Sequence, residues 1–222
     1  MDTLVLITSV INPPDTGFNY CATRSQFTCE ERFVQTCQTI KSVRQYIPGC
    51  KILLIETSMI PEPYTEYLVD NCDYFLQMCD NVIINSAVCS QSKSFGEGTQ
   101  TIYAINYILE HKIQFDKLLK ISGRYSLTQD FLHTSFQNTG VTVKQMVKDD
   151  GCCTVMYCMT RDCIKKFRNW LRSYPTQTKM LNYVGYEVLF SEYITLCDCQ
   201  VNIVECLGVT GRVSIDDTWY SG

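Results

Sequence analysis

Polar clusters stand where the apolar runs of this sequence end. The run 4–7 gives way to Thr8-Ser9, the run 52–55 to Glu56-Thr57-Ser58, and the run 117–121 to Ser122-Gly123-Arg124-Tyr125. A fourth cluster, Ser90 with Ser92-Lys93, opens a helical pattern. If the runs are neighbouring strands, these groups meet at one edge, since open α/β sheets bind ligands beyond the carboxyl ends of their strands. A carboxylate, several hydroxyls, a lysine and an arginine together suit a nucleotide-like ligand. The carboxylate accepts from base or ribose while the cations meet phosphates. Strand ends are polar in any protein where loops meet water, so residue types alone do not decide the matter.

Three further residues carry chemical expectations. Arg24 lies in the loop after the first run and Arg32 in the first turn of the helix that follows. A cation there opposes the helix dipole, so Arg32 is expected to face either a ligand or a carboxylate such as Glu30. Glu187 stands near the start of a later helix, with Glu192 five residues on. A partly desolvated carboxylate with a raised pKa there would serve as a general base.

Several chemistries are excluded by their missing signatures. No Gly-x-Gly-x-x-Gly or Walker A loop follows the first run, which ends instead in Asn12-Pro13-Pro14. That absence also argues against a nucleotidyltransferase. Gly96-Glu97-Gly98 is the nearest glycine-rich stretch, and as a helix start it could hold an anion. There is no Gly-x-Ser-x-Gly elbow. His111 and His133 are the only histidines, and no Cys-x-x-Cys exists among 14 cysteines. Zinc binding and histidine-based triads are therefore unsupported. The cysteines read as small buried hydrophobes of a reducing, cytoplasmic compartment. With net charge −4 and scattered basic residues, a nucleic-acid surface is not expected. No apolar run approaches the roughly 20 residues of a membrane span.

The elements that would position these groups alternate strand and helix. Thr28 and Glu31 form a capping box ahead of a helix whose stripe is Phe33, Cys37, Ile40, Val43 and Ile47. Strands are expected at 4–11, 51–55, 81–85, 117–121, 153–158 and 200–204, and helices at 63–71, 98–110, 161–173 and 185–195. Tyr174 is expected to continue the buried side of the 161–173 helix. Near-continuous apolar strands between helices predict a mainly parallel, mixed sheet covered on both faces.

Taken together, Ile7-Thr8-Ser9, the 52–58 segment, Lys93 before a helix and Lys120-Ile121-Ser122-Gly123-Arg124-Tyr125 resemble the nucleotide-binding half of GT-A-type glycosyltransferases. More narrowly, Glu31-Arg32-x-x-Gln35-Thr36, Gly96-Glu97-Gly98 and Leu207-Gly208-Val209-x-Gly211 are similar to phrases of the small single-domain glycosyltransferases of large DNA viruses infecting algae and protists. The resemblance implies one GT-A-like domain over 1–222, with a nucleotide-sugar half (1–125) and an acceptor half (126–222). It implies transfer of a sugar from a UDP- or GDP-sugar donor to a glycan or other hydroxyl acceptor. Thr8, Ser9, Glu56 and Ser58 would line the base and ribose pocket. Lys93, Arg124 and the adjoining Ser122, Gly123 and Tyr125 would face the diphosphate or donor sugar, and Glu187 would be the base. The family's Asp-x-Asp is absent. Either Lys93 and Arg124 replace the charge of Mn2+ or Mg2+, or scattered carboxylates such as Asp80 or Asp216 hold the ion. The third alternative is a non-catalytic nucleotide- or glycan-binding module on the same fold.

Overall fold

A computed structural model describes residues 2–146 and 151–222. Strands β1 (Thr3–Ser9), β2 (Lys51–Glu56), β3 (Tyr74–Gln77) and β4 (Lys117–Ser122) pair in parallel in the order β3-β2-β1-β4. Beyond β4 the direction changes. Strand β7 (Met156–Thr160) is antiparallel to β4, β6 (Val141–Val143) is antiparallel to β7, and β8 (Val201–Ile203) runs parallel to β6 at the edge. A second sheet of three strands joins β5 (Tyr125–Leu127), β9 (Val209–Arg212) and β10 (Trp219–Ser221). The expected mixed α/β architecture is present.

Alternation along each strand explains the unbroken apolar runs. Leu4, Leu6, Leu53, Ile55 and Leu118 enter one core, while Val5, Ile7, Ile52, Leu54, Leu119 and Ile121 enter the other. Helices α1 (Cys29–Tyr46) and α2 (Glu62–Asn71) cover the second face. The first face is covered by α3 (Val82–Cys89), α4 (Lys93–Glu110), α5 (Arg161–Leu171), α6 (Tyr174–Leu181) and α7 (Tyr186–Leu196). The capping box of Thr28 and Glu31 is formed in full at α1.

Some sequence expectations are corrected. The segment 81–85 is helical, because Asn81 caps α3 by accepting from the Ile84 N–H, and Val82 and Ile83 are exposed. The third strand is the shorter 74–77. The strand expected at 153–158 starts three residues later, and Tyr174 begins α6 as an exposed residue rather than extending α5. Gly96 and Gly98 lie inside α4, and the Gly96 N–H already bonds Ser92 O, so they form no open anion-binding turn. Glycine serves close packing at both positions. A Cβ at Gly98 would stand 2.4 Å from Met180 Sδ, and one at Gly96 3.4 Å from Ala87 O. Close packing of α4 on α3 and α6 sets Lys93 and Glu97 beside the strand ends.

Candidate active site

The carboxyl ends of β1 and β4 form the floor of a half-open cleft of about 140 Å³. Thr8, Ser9, Ser122, Arg124, Arg32, Arg24, Lys93 and Glu97 line it together with Gln100 and Val213-Ser214-Ile215. A second, wider cavity is lined by Tyr125, Met146, Cys153, Thr154, Val155, Glu187 and Tyr220. The two share one wall made of Lys93, Glu97, Ser122, Arg124 and Val213. A third, smaller pocket meets the first only at Lys93 and the second at Lys93 and Glu187. Lys93 therefore borders all three.

The shared wall is charged and incompletely satisfied. Arg124 comes off the turn after β4, with its guanidinium 5.1 Å from the Tyr125 ring centroid, and its buried Nε has no hydrogen-bond partner among the described residues. Oε2 of Glu97 is likewise buried and unpartnered. Leaving such groups unsatisfied costs roughly 1–3 kcal/mol each. Lys93 Nζ lies 3.2 Å from Glu187 Oε1, which also accepts from Thr154 Oγ1 at 3.1 Å. Burial pushes the Glu187 carboxyl up, but Lys93 and the hydrogen bonds outweigh it and hold the pKa below the usual range. The expectation of a raised value at Glu187 is thus reversed, because its cation comes from a helix 94 residues away. For Lys93, the field of Glu97, then of Glu187, raises the pKa against desolvation.

Arg32 is buried, and among the described residues it faces neither Glu30 nor any other carboxylate within ion-pair distance. It donates to Val10 O from Nε (3.3 Å) and Nη2 (3.1 Å), and to Ser214 Oγ from Nη1 (2.9 Å). Burial and the neighbouring Arg124 push its pKa down to about 9. Two guanidiniums that repel one another on a cleft wall make a site for an anion.

Not every expected residue faces the cleft. Glu56 is fully buried. Its oxygens accept from Ile11 N–H at 3.1 Å, and Oε1 also takes Ser58 N–H at 2.8 Å and the Ser58 hydroxyl. Ser58 Oγ in turn accepts from Asn12 N–H at 2.8 Å. The pair clamps the loops after β1 and β2 together and lines none of the three cavities. Arg24 borders the cleft but spends its donors on the carbonyls of Thr16, Val88 and Ser90, pinning the 15–27 loop to the end of α3. Gly123 N–H bonds Thr8 O at 2.9 Å, and a Cβ there would lie 3.3 Å from Ile7 Cγ2 and from that same oxygen. It therefore lets β4 turn close against β1. Tyr125 is buried and edge-on to Tyr220 at the wall of the second cavity.

Sequence reasoning did not single out Glu97, Gln100 or Lys120 as site residues. Gln100 donates to Ser9 O at 2.9 Å and braces the cleft floor. Lys120 is buried in β4, where its Nζ donates to Ser122 Oγ (2.9 Å) and Thr154 O (2.7 Å). Burial lowers its pKa to about 8. A lysine at an inward position of an otherwise apolar strand was the available signal. The Ser214 contact of Arg32, 182 residues distant, had none.

Among the described residues the donor set does not suit a divalent cation. Where the Asp-x-Asp of GT-A enzymes would stand, this chain presents Arg124. Asp80 is exposed on the turn after β3, and Asp216 Oδ1 is taken by the Thr218 N–H and hydroxyl. Among the described residues no group of three or more His, Cys, Asp or Glu side chains is placed to hold a metal ion.

Comparison with known proteins agrees with this architecture. A nucleoside-diphosphate-sugar pyrophosphorylase from Vibrio cholerae superposes with a TM-score of 0.56 at 11% identity, covering 97% of this chain and 96% of its own. The galactosyltransferase LgtC, solved with donor and acceptor sugar analogues, gives 0.53 at 11% identity, covering 92% and 73%. The glycosyltransferase GlyE of Streptococcus pneumoniae gives 0.52 at 12% identity, and this chain spans only 45% of it. No family model matches the sequence. No curated protein matches it either. The chain has the fold of nucleotide-diphospho-sugar transferases.

Proposed function

We propose that this protein is a glycosyltransferase that moves a sugar from a nucleoside-diphosphate donor to a hydroxyl acceptor. The observation that carries the reading is the meeting of Arg32 and Arg124 on the strand-end cleft, where among the described residues neither guanidinium forms an ion pair with a carboxylate. Such a wall wants an anion, and LgtC, of similar fold, was solved in complex with donor and acceptor sugar analogues. The nucleoside lies over Thr8, Ser9 and Gln100, and the diphosphate reaches Arg124 and Lys93. The donor sugar then enters the second cavity, where Glu187 waits.

In the transfer step the acceptor oxygen attacks the anomeric carbon while the bond from that carbon to the diphosphate oxygen breaks. The proton of the acceptor hydroxyl passes to Glu187, and the charge left on the departing nucleoside diphosphate is met by Arg124 and Lys93. Lys93 links the two events. Drawn to phosphate, it relaxes its hold on Glu187, so the carboxylate becomes more basic once donor is bound. Among the described residues none fits a divalent ion at the diphosphate, and in this reading Arg124 and Lys93 carry that charge.

Calorimetry against UDP, GDP and the other nucleoside diphosphates tests the reading, with and without manganese. Binding of one of them, undiminished by a chelator and lost in Arg124→Ala, is expected. No binding of any would end it. Binding without transfer to any glycan acceptor would favour a non-catalytic binding module.

A further inference from the structure

The smaller pocket is framed by two exposed aromatic rings that the transfer step does not use. Tyr20 reaches it from the 15–27 loop and Tyr183 from the turn between α6 and α7, over a base of Lys93, Glu187 and Asn19. Tyr183 sits where a tyrosine is conformationally out of place. Asn182 closes α6, the Tyr183 N–H bonds Met180 O, and the Val184 N–H reaches back to Lys179 O, both at 3.1 Å. That is the Schellman arrangement, whose first residue past the cap takes the left-handed conformation and is usually glycine. Tyr183 has φ +65°, and about half of its surface is exposed. A bulky residue held in this conformation gains nothing from core burial, and strain of this kind collects at ligand sites.

We infer that Tyr20 and Tyr183 form a sugar-binding subsite for the terminal ring of the acceptor, with Glu187 and Asn19 receiving its hydroxyls. The apolar face of a pyranose lies flat against an aromatic ring, and its hydroxyl edge needs acceptors such as a carboxylate. The pocket joins the strand-end cleft only through Lys93 and opens outward at the two tyrosines, so a longer glycan can leave into solvent. Glu187 borders both this pocket and the second cavity, placing the acceptor hydroxyl and donor sugar on its two sides.

The role as an acceptor subsite rests on the transferase reading, but sugar binding can be measured without it. Saturation-transfer NMR with methyl glycosides of glucose, galactose, mannose, N-acetylglucosamine, fucose and xylose is run on the protein alone and with saturating nucleoside diphosphate. At least one glycoside is expected to bind, and Tyr183→Gly to weaken it tenfold or more while nucleoside diphosphate affinity holds. Because glycine relieves the left-handed turn, the thermal midpoint of Tyr183→Gly stays level or rises. Tyr20→Ser, in a loop held by Arg24, is expected to show the same loss. Nucleoside diphosphate binding with no glycoside bound under either condition overturns the subsite and leaves the transferase reading intact. Glycoside binding without any nucleoside diphosphate binding keeps the pocket as a sugar site and removes the transferase reading. A lowered midpoint in Tyr183→Gly would make Tyr183 a packing residue and overturn its role.

Discussion

Glu187 is held ionised by a lysine to which the proposed mechanism also gives the diphosphate, and this shared partner makes the pair testable by pH. In the free protein Lys93 depresses the Glu187 pKa. Replacing Lys93 by Gln removes that field while Tyr20, Glu97 and Arg124 remain around it. The acid limb of kcat/KM, which reports the free enzyme, is then expected to move to higher pH. A limb that does not move would separate Glu187 from proton transfer. Glu187→Gln is expected to lower turnover by about 10²–10⁴-fold with donor affinity preserved, read by steady-state kinetics beside calorimetry. Lys120 offers a second pH signature. Its native pKa of about 8 lies below the unfolded value, so above pH 8 the unfolded chain binds the extra proton. Stability from this group therefore rises with pH up to about 10.4, the unfolded value. The thermal midpoint of the parent relative to Lys120→Met is expected to climb between pH 7 and 10.

At the scale of elements, short-range rules held where the local signal was strong. Thr28 with Glu31 foretold the start of α1, and its loss is measurable. Thr28→Ala forfeits a hydrogen bond to the Glu31 N–H and is expected to cost about 1 kcal/mol. A midpoint drop of about 2–4 °C by calorimetry would register it. The rules failed at 81–85, where Val82-Ile83-Ile84 looks like strand but Asn81 supplies a cap. A three-residue apolar run cannot tell the two states apart, whereas the true strand 74–77 is too short to announce itself. Site legibility followed the same division. Thr8, Ser9, Ser122 and Arg124 were readable because strand ends are. Glu56 was readable as a strand-end carboxylate and expected in the pocket, yet its partners Ile11 and Ser58 turned it inward. Lys93 and Glu187 were each visible, but their contact depends on how α4 and α7 dock.

For the whole molecule, the expected sheet was legible because β1, β2 and β4 alternate faithfully between two cores. These three strands are expected to hold the slowest-exchanging amides in native-state hydrogen exchange, with the edge strand β8 fastest among the seven. Equal protection across the sheet would contradict a core centred on β1. The order of the strands has a bearing on synthesis as well. Strands β1 to β4, which pair in parallel, lie within the first 122 residues, while β7, which covers the far side of β4, begins only at Met156. A nascent chain thus carries β4 as a bare edge until that strand emerges from the ribosome. An open edge recruits other chains unless charge or shape discourages it. Lys117 and Lys120, buried in the finished protein, stand on that edge. Charges at those two positions disfavour pairing between growing chains before β7 arrives.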